Sequence, residues 1–270
     1  MSGDPFSLAG RRALVTGADS GIGRALALGL ARQGADIALH WCGDAEGAAA
    51  VAREIAALGR RVFPIEADFG EAQAAERLAS AALTSGGVDI LIANAAIERR
   101  LPWTEVTDQH IAAHVAVNFA ALLTLMRKLV PPMADRGWGR VVAVGSVLAG
   151  RPRAETVVYA ALKAAQLTAI RAIGREVAGR GVTMNVISPG AIETARNAAN
   201  YADAAFRQAV LAKIPLGRQG RPDDCIGPVL LLASDAGGYV TGADIPVDGG
   251  WSIGDAPTPT AQGNREETNR

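Results

Sequence analysis

The sequence lacks any apolar run approaching the length of a membrane span, and its start, Met1-Ser2-Gly3-Asp4-Pro5, has no basic-then-apolar signal pattern. It is also poor in cysteine. Cys42 and Cys225 lie far apart, without metal or redox spacing, which argues against a disulfide framework or a zinc site. Two reduced thiols in a cytoplasmic protein with no bound metal are therefore expected. Neither sign of charge is in excess: Lys plus Arg number 27, and so do Asp plus Glu. That balance removes the electrostatic case for nucleic acid or an anionic membrane as partner. A Gly-Lys-Ser/Thr phosphate loop is absent, which disfavours a nucleotide triphosphatase. No solenoid-type repeat and no Pro/Gly/Ser-rich linker divides the chain.

What is present is an ordinary globular composition, 49% hydrophobic and 20% charged over 270 residues. Short apolar runs near 11–16, 35–41, 61–66, 88–93, 139–145, 182–188 and 243–247 read as strands. Ala-rich amphipathic stretches near 21–33, 44–58, 71–84, 108–135, 157–179 and 222–234 read as helices. Segments such as Val88-Asp89-Ile90-Leu91-Ile92-Ala93 are apolar on both faces, as central parallel strands must be. The β-then-α rhythm predicts an α/β fold: a doubly wound parallel sheet of seven strands, a Rossmann fold, with right-handed crossovers and helices on both faces. One domain is expected over 1–254. The polar tail 255–270 is expected to be mobile or held only by a partner subunit. The stretch 191–215 breaks the rhythm after Ser188-Pro189-Gly190. It reads as a helical substrate lid at the carboxyl end of a strand, or else as a plain surface excursion.

The turn Thr16-Gly17-Ala18-Asp19-Ser20-Gly21-Ile22-Gly23 follows the first strand. Gly17 allows a sharp turn, Gly21 lets backbone approach a pyrophosphate, and Gly23 lets the helix pack on the strand. The helix start then offers N–H groups and a positive dipole end to phosphates. At the end of the second strand stand His40 and Trp41, where a carboxylate would select NAD. With none present, NADP(H) is weakly preferred and NAD(H) stays open. Arg24 could swing toward a phosphate or simply decorate the helix, and His40 could be a packed strand-end residue. Asp68 has two readings, a hydrogen-bond acceptor for the adenine amino group and a helix N-cap. Asn94, Ala95 and Ala96 provide small residues where backbone would meet a ribose.

Tyr159 and Lys163 are four residues apart on a predicted helix and so share a face. A free phenol titrates near pH 10, about three units above neutrality. An ammonium about 4 Å away contributes about 4 kcal/mol at an effective dielectric of about 20, enough to offset most of that gap. The pair can therefore act as acid and base near physiological pH. Ser146 closes the fifth strand thirteen residues earlier, where its hydroxyl can hold a substrate oxygen. Asn118 interrupts an apolar helix face and could hold a water that relays protons from the lysine.

Taken together, these motifs resemble those of the short-chain dehydrogenases/reductases, over about Arg11 to Gly250. The shared pattern comprises the glycine turn at 16–23, Asp68, Asn94-Ala95, Asn118, Ser146, Tyr159, Lys163, Pro189-Gly190 with Thr194, and Val247-Asp248-Gly249-Gly250. The resemblance implies that Asn118, Ser146, Tyr159 and Lys163 form a catalytic tetrad, with Lys163 also on the nicotinamide ribose and Thr194 on the cofactor's carboxamide or phosphate end. It extends the expected cofactor site to Gly17, Ser20, Gly21, Ile22, Gly23, His40, Trp41, Asp68, Phe69, Asn94, Ala95, Ala96, Tyr159, Pro189, Gly190 and Ile192. Substrate contacts are expected from Glu98, Arg99, Leu148, Arg151, Ala191 and Tyr201. Two departures stand out: Ala96 replaces a usual glycine, and Gly145 stands where a second serine is common.

The implied reaction moves hydride between a nicotinamide and a CH–OH or carbonyl carbon, and the substrate could be a sugar, a sugar acid or a keto acid. Arg99, Arg100, Arg151, Arg153 and Arg196 could favour an anionic substrate or could be solvated loop residues. The competing classes are a catalytically idle dinucleotide-binding sensor or scaffold and a methyltransferase. The first would not need the tetrad intact, and the second has no use for Ser146, Tyr159 and Lys163 together. The helices near 108–135 and 157–179 carry long Ala/Leu/Val faces that one domain need not fully cover, and the resemblance implies that they pair across a twofold, so a homotetramer is expected, with a dimer as the fallback.

Overall fold

The computed structural model describes residues 3–195 and 198–254. Arg196 and the tail 255–270 lie outside the described residues. Seven strands form one sheet: β1 Arg12–Val15, β2 Asp36–Trp41, β3 Val62–Glu66, β4 Ile90–Ala93, β5 Gly139–Val144, β6 Val182–Pro189 and β7 Asp244–Val247. Their spatial order is β3-β2-β1-β4-β5-β6-β7, and every pair is parallel. The order reverses direction between β1 and β4, which creates a crevice at the carboxyl ends of those strands.

Period-two alternation along the strands feeds two separate cores. On one face Val15, Ile37, Leu39, Ile92 and Val144 pack under helices α1 Gly21–Arg32 and α2 Ala45–Ala57. On the other, Leu14, Ala38, Leu91, Val141 and Ala143 meet residues of α3 Ala74–Thr84 and of the two long helices that follow β4 and β5. With both sides of each central strand covered, continuous apolar runs are what the fold demands.

The predicted helix 108–135 is not regular. It comprises α4 Asp108–Val115, a wide π-turn at Ala116–Ala120, and α5 Ala121–Asp135. Asn118 sits in that turn. Such single-turn widenings occur where a side chain must be re-aimed. The sequence suggested no membrane-length apolar segment, yet the continuous run Asp108–Asp135 is long and apolar enough by length and composition to cross one. Here Leu122, Leu125, Met126 and Leu129 turn into the core beside α3, so the apolar length is used partly for packing.

The sixth helix, α6 Val157–Val177, carries Tyr159 and Lys163. Beyond β6 the chain forms short helices α7 Ala198–Ala202 and α8 Ala204–Leu211. Val210 and Ile214 of this excursion pack with Val147, Ala191 and Trp251 in a third, small core, flanked by Tyr201 and Phe206. The excursion is thus tied by apolar contact to the residues just after Ser146. After a 3-10 turn at Pro222–Cys225, α9 Ile226–Ala233 joins α1 on the first core face.

Candidate active site

The carboxyl ends of β1, β4, β5 and β6 open onto one cleft of about 880 Å³. Its first half is built around the glycine turn. A Cβ on Gly23 would stand 1.9 Å from the Gly17 carbonyl oxygen and 2.6 Å from Asn94 Nδ2, so only glycine lets α1 leave the turn here. Asn94 Nδ2 donates to the carbonyls of Thr16 at 2.9 Å and Gly17 at 3.0 Å. Thr16 Oγ1 in return accepts from the N–H groups of Asn94 and Ala95. The turn is cross-braced to the end of β4, which fixes its backbone before any ligand arrives.

Ser20 occupies the N-cap of α1 without a side-chain cap, and the first turn holds no acidic residue. Gly21 and Ile22 line the cleft, and a Cβ on Gly21 would meet only the Thr194 side chain, at 3.4 Å. Uncapped N–H groups, the positive end of the helix dipole and bare backbone suit a pyrophosphate. The residues present fit a dinucleotide. Arg24 does not contribute, because its guanidinium grips Glu54 at 2.8 Å on the helix surface.

His40 is buried and braces the turn from below. Its Nδ1 accepts from the Gly17 N–H at 3.0 Å, and its Nε2 is 2.9 Å from the Ala67 carbonyl. Because the Gly17 N–H can only donate, the ring is the neutral Nε2–H tautomer and donates to Ala67. Burial lowers its pKa, outweighing the opposing pull of the Ala67 carbonyl and Asp19. The ring also stacks on Phe69 at 4.5 Å. His40 and Phe69 both line the cleft, as does Asp68, whose Oδ1 accepts from the Gly70 N–H.

The expectation for Trp41 is corrected. Side chains alternate along β2, so Trp41 points with Leu39 into the first core, while His40 lies on the opposite side. Cys42, just past the strand, lines the cleft in its place. Its thiol pKa is raised by burial and by Asp68, Glu66, Asp19 and Glu71.

The second half of the cleft holds Ser146, Tyr159 and Lys163. Lys163 is 2% exposed, and its Nζ donates to the Val144 carbonyl at 2.7 Å. That nitrogen stands 5.5 Å from the centre of the Tyr159 ring, one helical turn away. Ser146 begins the 3-10 turn Val147–Ala149, and its Oγ accepts from the Leu148 N–H at 3.1 Å. Its hydroxyl hydrogen can then point to a ligand oxygen. Gly145 is enforced: a Cβ there would lie 2.7 Å from Val186 Cγ1 and 3.0 Å from Ser188 Oγ, so a second serine has no room.

Asn118 does not line the cleft. Its Oδ1 accepts from the Ile97 N–H at 2.8 Å and its Nδ2 donates to the Ile97 carbonyl at 2.9 Å. Its own carbonyl accepts from Gln166 Nε2. Through these bonds Asn118 braces the segment after β4, whose Ala95, Ala96, Ile97 and Glu98 line the cleft.

On the substrate side, Glu98, Leu148, Ala191 and Tyr201 line the cleft, and so do Pro189, Gly190, Ile192 and Thr194. Arg99 and Arg151 do not. The Arg99 main-chain N–H donates to buried His114 Nε2 at 3.2 Å, and its side chain is not part of the cleft wall. The Arg151 guanidinium donates to the Trp251 carbonyl beside a separate recess of about 420 Å³. Arg100, Arg153 and Trp251 line the cleft instead. Period-two counting from His40 would have found Cys42. The arginines follow no period, and only tertiary contacts decide which of two neighbours faces inward.

Comparison with known proteins agrees with this geometry. Residues 17–252 match the family model described as enoyl-(acyl carrier protein) reductase. A 2-dehydro-3-deoxy-D-gluconate 5-dehydrogenase of Pseudoalteromonas atlantica is 38% identical over 249 residues, covering 92% of this chain and 98% of that one. The chain belongs to the short-chain dehydrogenase/reductase family. It is accordingly an NAD(P)-dependent oxidoreductase of CH–OH or carbonyl groups. An L-rhamnose 1-dehydrogenase (NAD(P)(+)) of Sphingomonas sp. is 34% identical over 91% of this chain and 98% of that one. The crystal structure of a 3-oxoacyl (acyl-carrier-protein) reductase from Agrobacterium tumefaciens, with NADP bound, superposes with a TM-score of 0.87 at 37% identity, covering 91% and 95% of the two chains.

Proposed function

We propose that this protein is an NADP(H)-linked dehydrogenase/reductase of sugar-type substrates, with NAD(H) as an alternative cofactor. The observation that carries the reading is the convergence of Ser146, Tyr159 and Lys163 on the cleft that also receives the uncapped start of α1. The bound nicotinamide would supply or accept hydride. Tyr159 gives a proton to the substrate oxygen in reduction and takes it back in oxidation. Ser146 steadies that oxygen, and Lys163 favours the phenolate and holds the ribose side of the cleft. Gly21 and Ile22 would hold the pyrophosphate, Thr194 the carboxamide or phosphate end of the cofactor, and Asp68 would accept from the adenine amino group. Asn118 is a positioning residue, acting through Ile97. An idle sensor would not need Ser146, Tyr159 and Lys163 in one cleft.

NADP(H) is supported by the strand end, where Cys42 replaces a carboxylate, and by NADP in the Agrobacterium relative. Asp19 and Asp68 border the same place, so discrimination against NAD(H) is weak. Fluorescence titration should show NADP(H) binding at least as tightly as NAD(H). Cys42→Arg should shift preference toward NADP(H) about tenfold through a fork on the 2′-phosphate, and Cys42→Asp should shift it toward NAD(H). A ratio indifferent to both changes would place the adenosine end elsewhere. The reaction itself is tested by nicotinamide absorbance over a panel of sugars, alditols, sugar acids and ketones. Failure of every compound with either cofactor overturns the activity.

The protein acts, in this reading, as one domain over 1–254, with 191–215 closing over the substrate, in the cytoplasm. It assembles as a homotetramer, or failing that a dimer. Supporting this, Ile111, Val115 and Val157 are exposed on α4 and α6. Multi-angle light scattering at micromolar protein should give four times the chain mass, and a clean monomer would refute the assembly.

A further inference from the structure

We propose that Arg153 is the recognition group for a substrate carboxylate, so that the preferred substrates are sugar-type hydroxy acids and their oxo forms rather than neutral sugars. The proposal rests on the reading above, that chemistry occurs at Ser146 and Tyr159.

Arg153 lines the same cleft as those two residues, six positions before Tyr159 in the chain. Its main chain is pinned, since buried Thr156 donates its hydroxyl to the Arg153 carbonyl at 2.7 Å. Its guanidinium is half-buried, yet among the described residues no carboxylate lies within ion-pair distance of it. The neighbouring cation is committed: Arg100 Nε donates to Glu98 Oε1 at 2.8 Å.

The other withdrawn arginines are engaged in the interior, Arg140 fully and Arg12 in part, since Arg12 Nε and Nη1 are buried without a partner among the described residues. Arg140 reaches the Ser234 and Gly139 carbonyls and Asp235, and Arg12 bonds Ser85 and lies over Phe63. Both have structural work in the interior. Among the described residues Arg153 has no such partner for its guanidinium, and it lines the cleft. Burial, and then Arg100, lower its pKa, against the weaker opposing pull of Glu98, Tyr201 and Glu155. The protein holds a cation where its charge is disfavoured, and an incoming anion relieves that condition.

The charge count selects the anion. Glu98 and Glu155 also line the cleft; Arg100 already answers Glu98, while Glu155 is exposed to solvent and is the weakest of the charges acting on Arg153. One uncommitted fork suits a monoanionic carboxylate, bound through two parallel N–H···O bonds. A dianionic phosphate would need a second uncommitted cation. Leu148, Ala191 and Trp251 are buried apolar walls of the same cleft, so water is thinned around the ion pair and its worth rises. Tyr201 brings the excursion after β6 to the wall of the same cleft.

The test compares C4–C6 aldonates with the alditols of the same carbon skeleton, as substrates for the whole protein with NADP+. The wild type should favour acids in kcat/KM, mainly through KM. Arg153→Gln should cut that preference about ten- to a hundredfold, the worth of a charge-assisted hydrogen bond, while alditol turnover and NADP+ affinity stay near wild type. Arg153→Lys should fall between, because it keeps charge but loses the fork. A wild type with no acid ahead of its matching alditol overturns the proposal, and so does an acid preference unchanged in Arg153→Gln. These outcomes are distinct from failure of the activity itself, which would show as no turnover of acid, alditol or ketone alike.

Discussion

Tyr159→Phe should lower turnover by about a hundred- to ten-thousandfold, the usual contribution of general acid–base catalysis, with little change in cofactor affinity. The substitution deletes one oxygen and keeps the ring volume. Tyr159 stands in the first turn of α6 and is only partly buried, so the change leaves no interior cavity. The glycine turn, its Asn94 brace and His40 beneath it all lie on other elements. What disappears is the group that can exchange a proton with the substrate oxygen. Ser146 cannot take over, because its Oγ is fixed by the Leu148 N–H and a hydroxyl is a far weaker acid. The measurement is steady-state turnover in both directions with a substrate from the panel, alongside fluorescence titration of the cofactor. A variant with near-normal turnover would exclude Tyr159 as the acid–base.

The order of strands and helices was legible because the two periods, 2.0 and 3.6, write burial directly into sequence. Each central strand is apolar on both sides, and the residues of β1, β4 and β5 divide between the two cores as alternation requires. The glycine turn was legible for a similar reason, since Gly23 sits where no Cβ can fit. Less visible were the choices between neighbours. Trp41 stands by count at the strand end where a ribose-binding carboxylate is expected, yet register gives the cleft to His40 and Cys42. Asn118 looked like a polar group with an open task. Its task is to pair with the Ile97 backbone, twenty-one residues away, and no local pattern encodes that contact. Arg100 and Arg153, not Arg99 and Arg151, line the cleft, and the Arg151 guanidinium is held by the Trp251 carbonyl, a bond that forms only in the folded chain. The site's chemistry was carried by residue types at fixed spacing. Its specificity is carried by irregular loops, where one residue's direction depends on distant partners.

Lys163→Met should be more damaging than Tyr159→Phe, because one side chain serves three purposes. The ammonium is almost wholly enclosed, with its Nζ 2.7 Å from the Val144 carbonyl at the end of β5. Methionine keeps most of the volume and removes the charge and every donor. The Tyr159 phenol then loses the nearby cation that favours its charged form, so turnover should fall at least about a hundredfold. The buried Val144 carbonyl loses a donor, a deficit of about 1–3 kcal/mol that should appear as a lower melting temperature. The cofactor side of the cleft loses a hydrogen-bonding cation, so nucleotide affinity should fall roughly tenfold or more. Lys163→Arg should not rescue these losses, because a planar fork is wider than the ammonium that this enclosed position admits. The three readouts separate the roles: turnover at saturating cofactor, cofactor affinity by fluorescence, and melting temperature without ligand. If Lys163→Met lost turnover alone, with affinity and melting temperature at wild-type values, the lysine would serve only the phenol. If turnover survived while the melting temperature dropped, its bond to Val144 would be its whole function, and Tyr159 would have to be poised by some other charge.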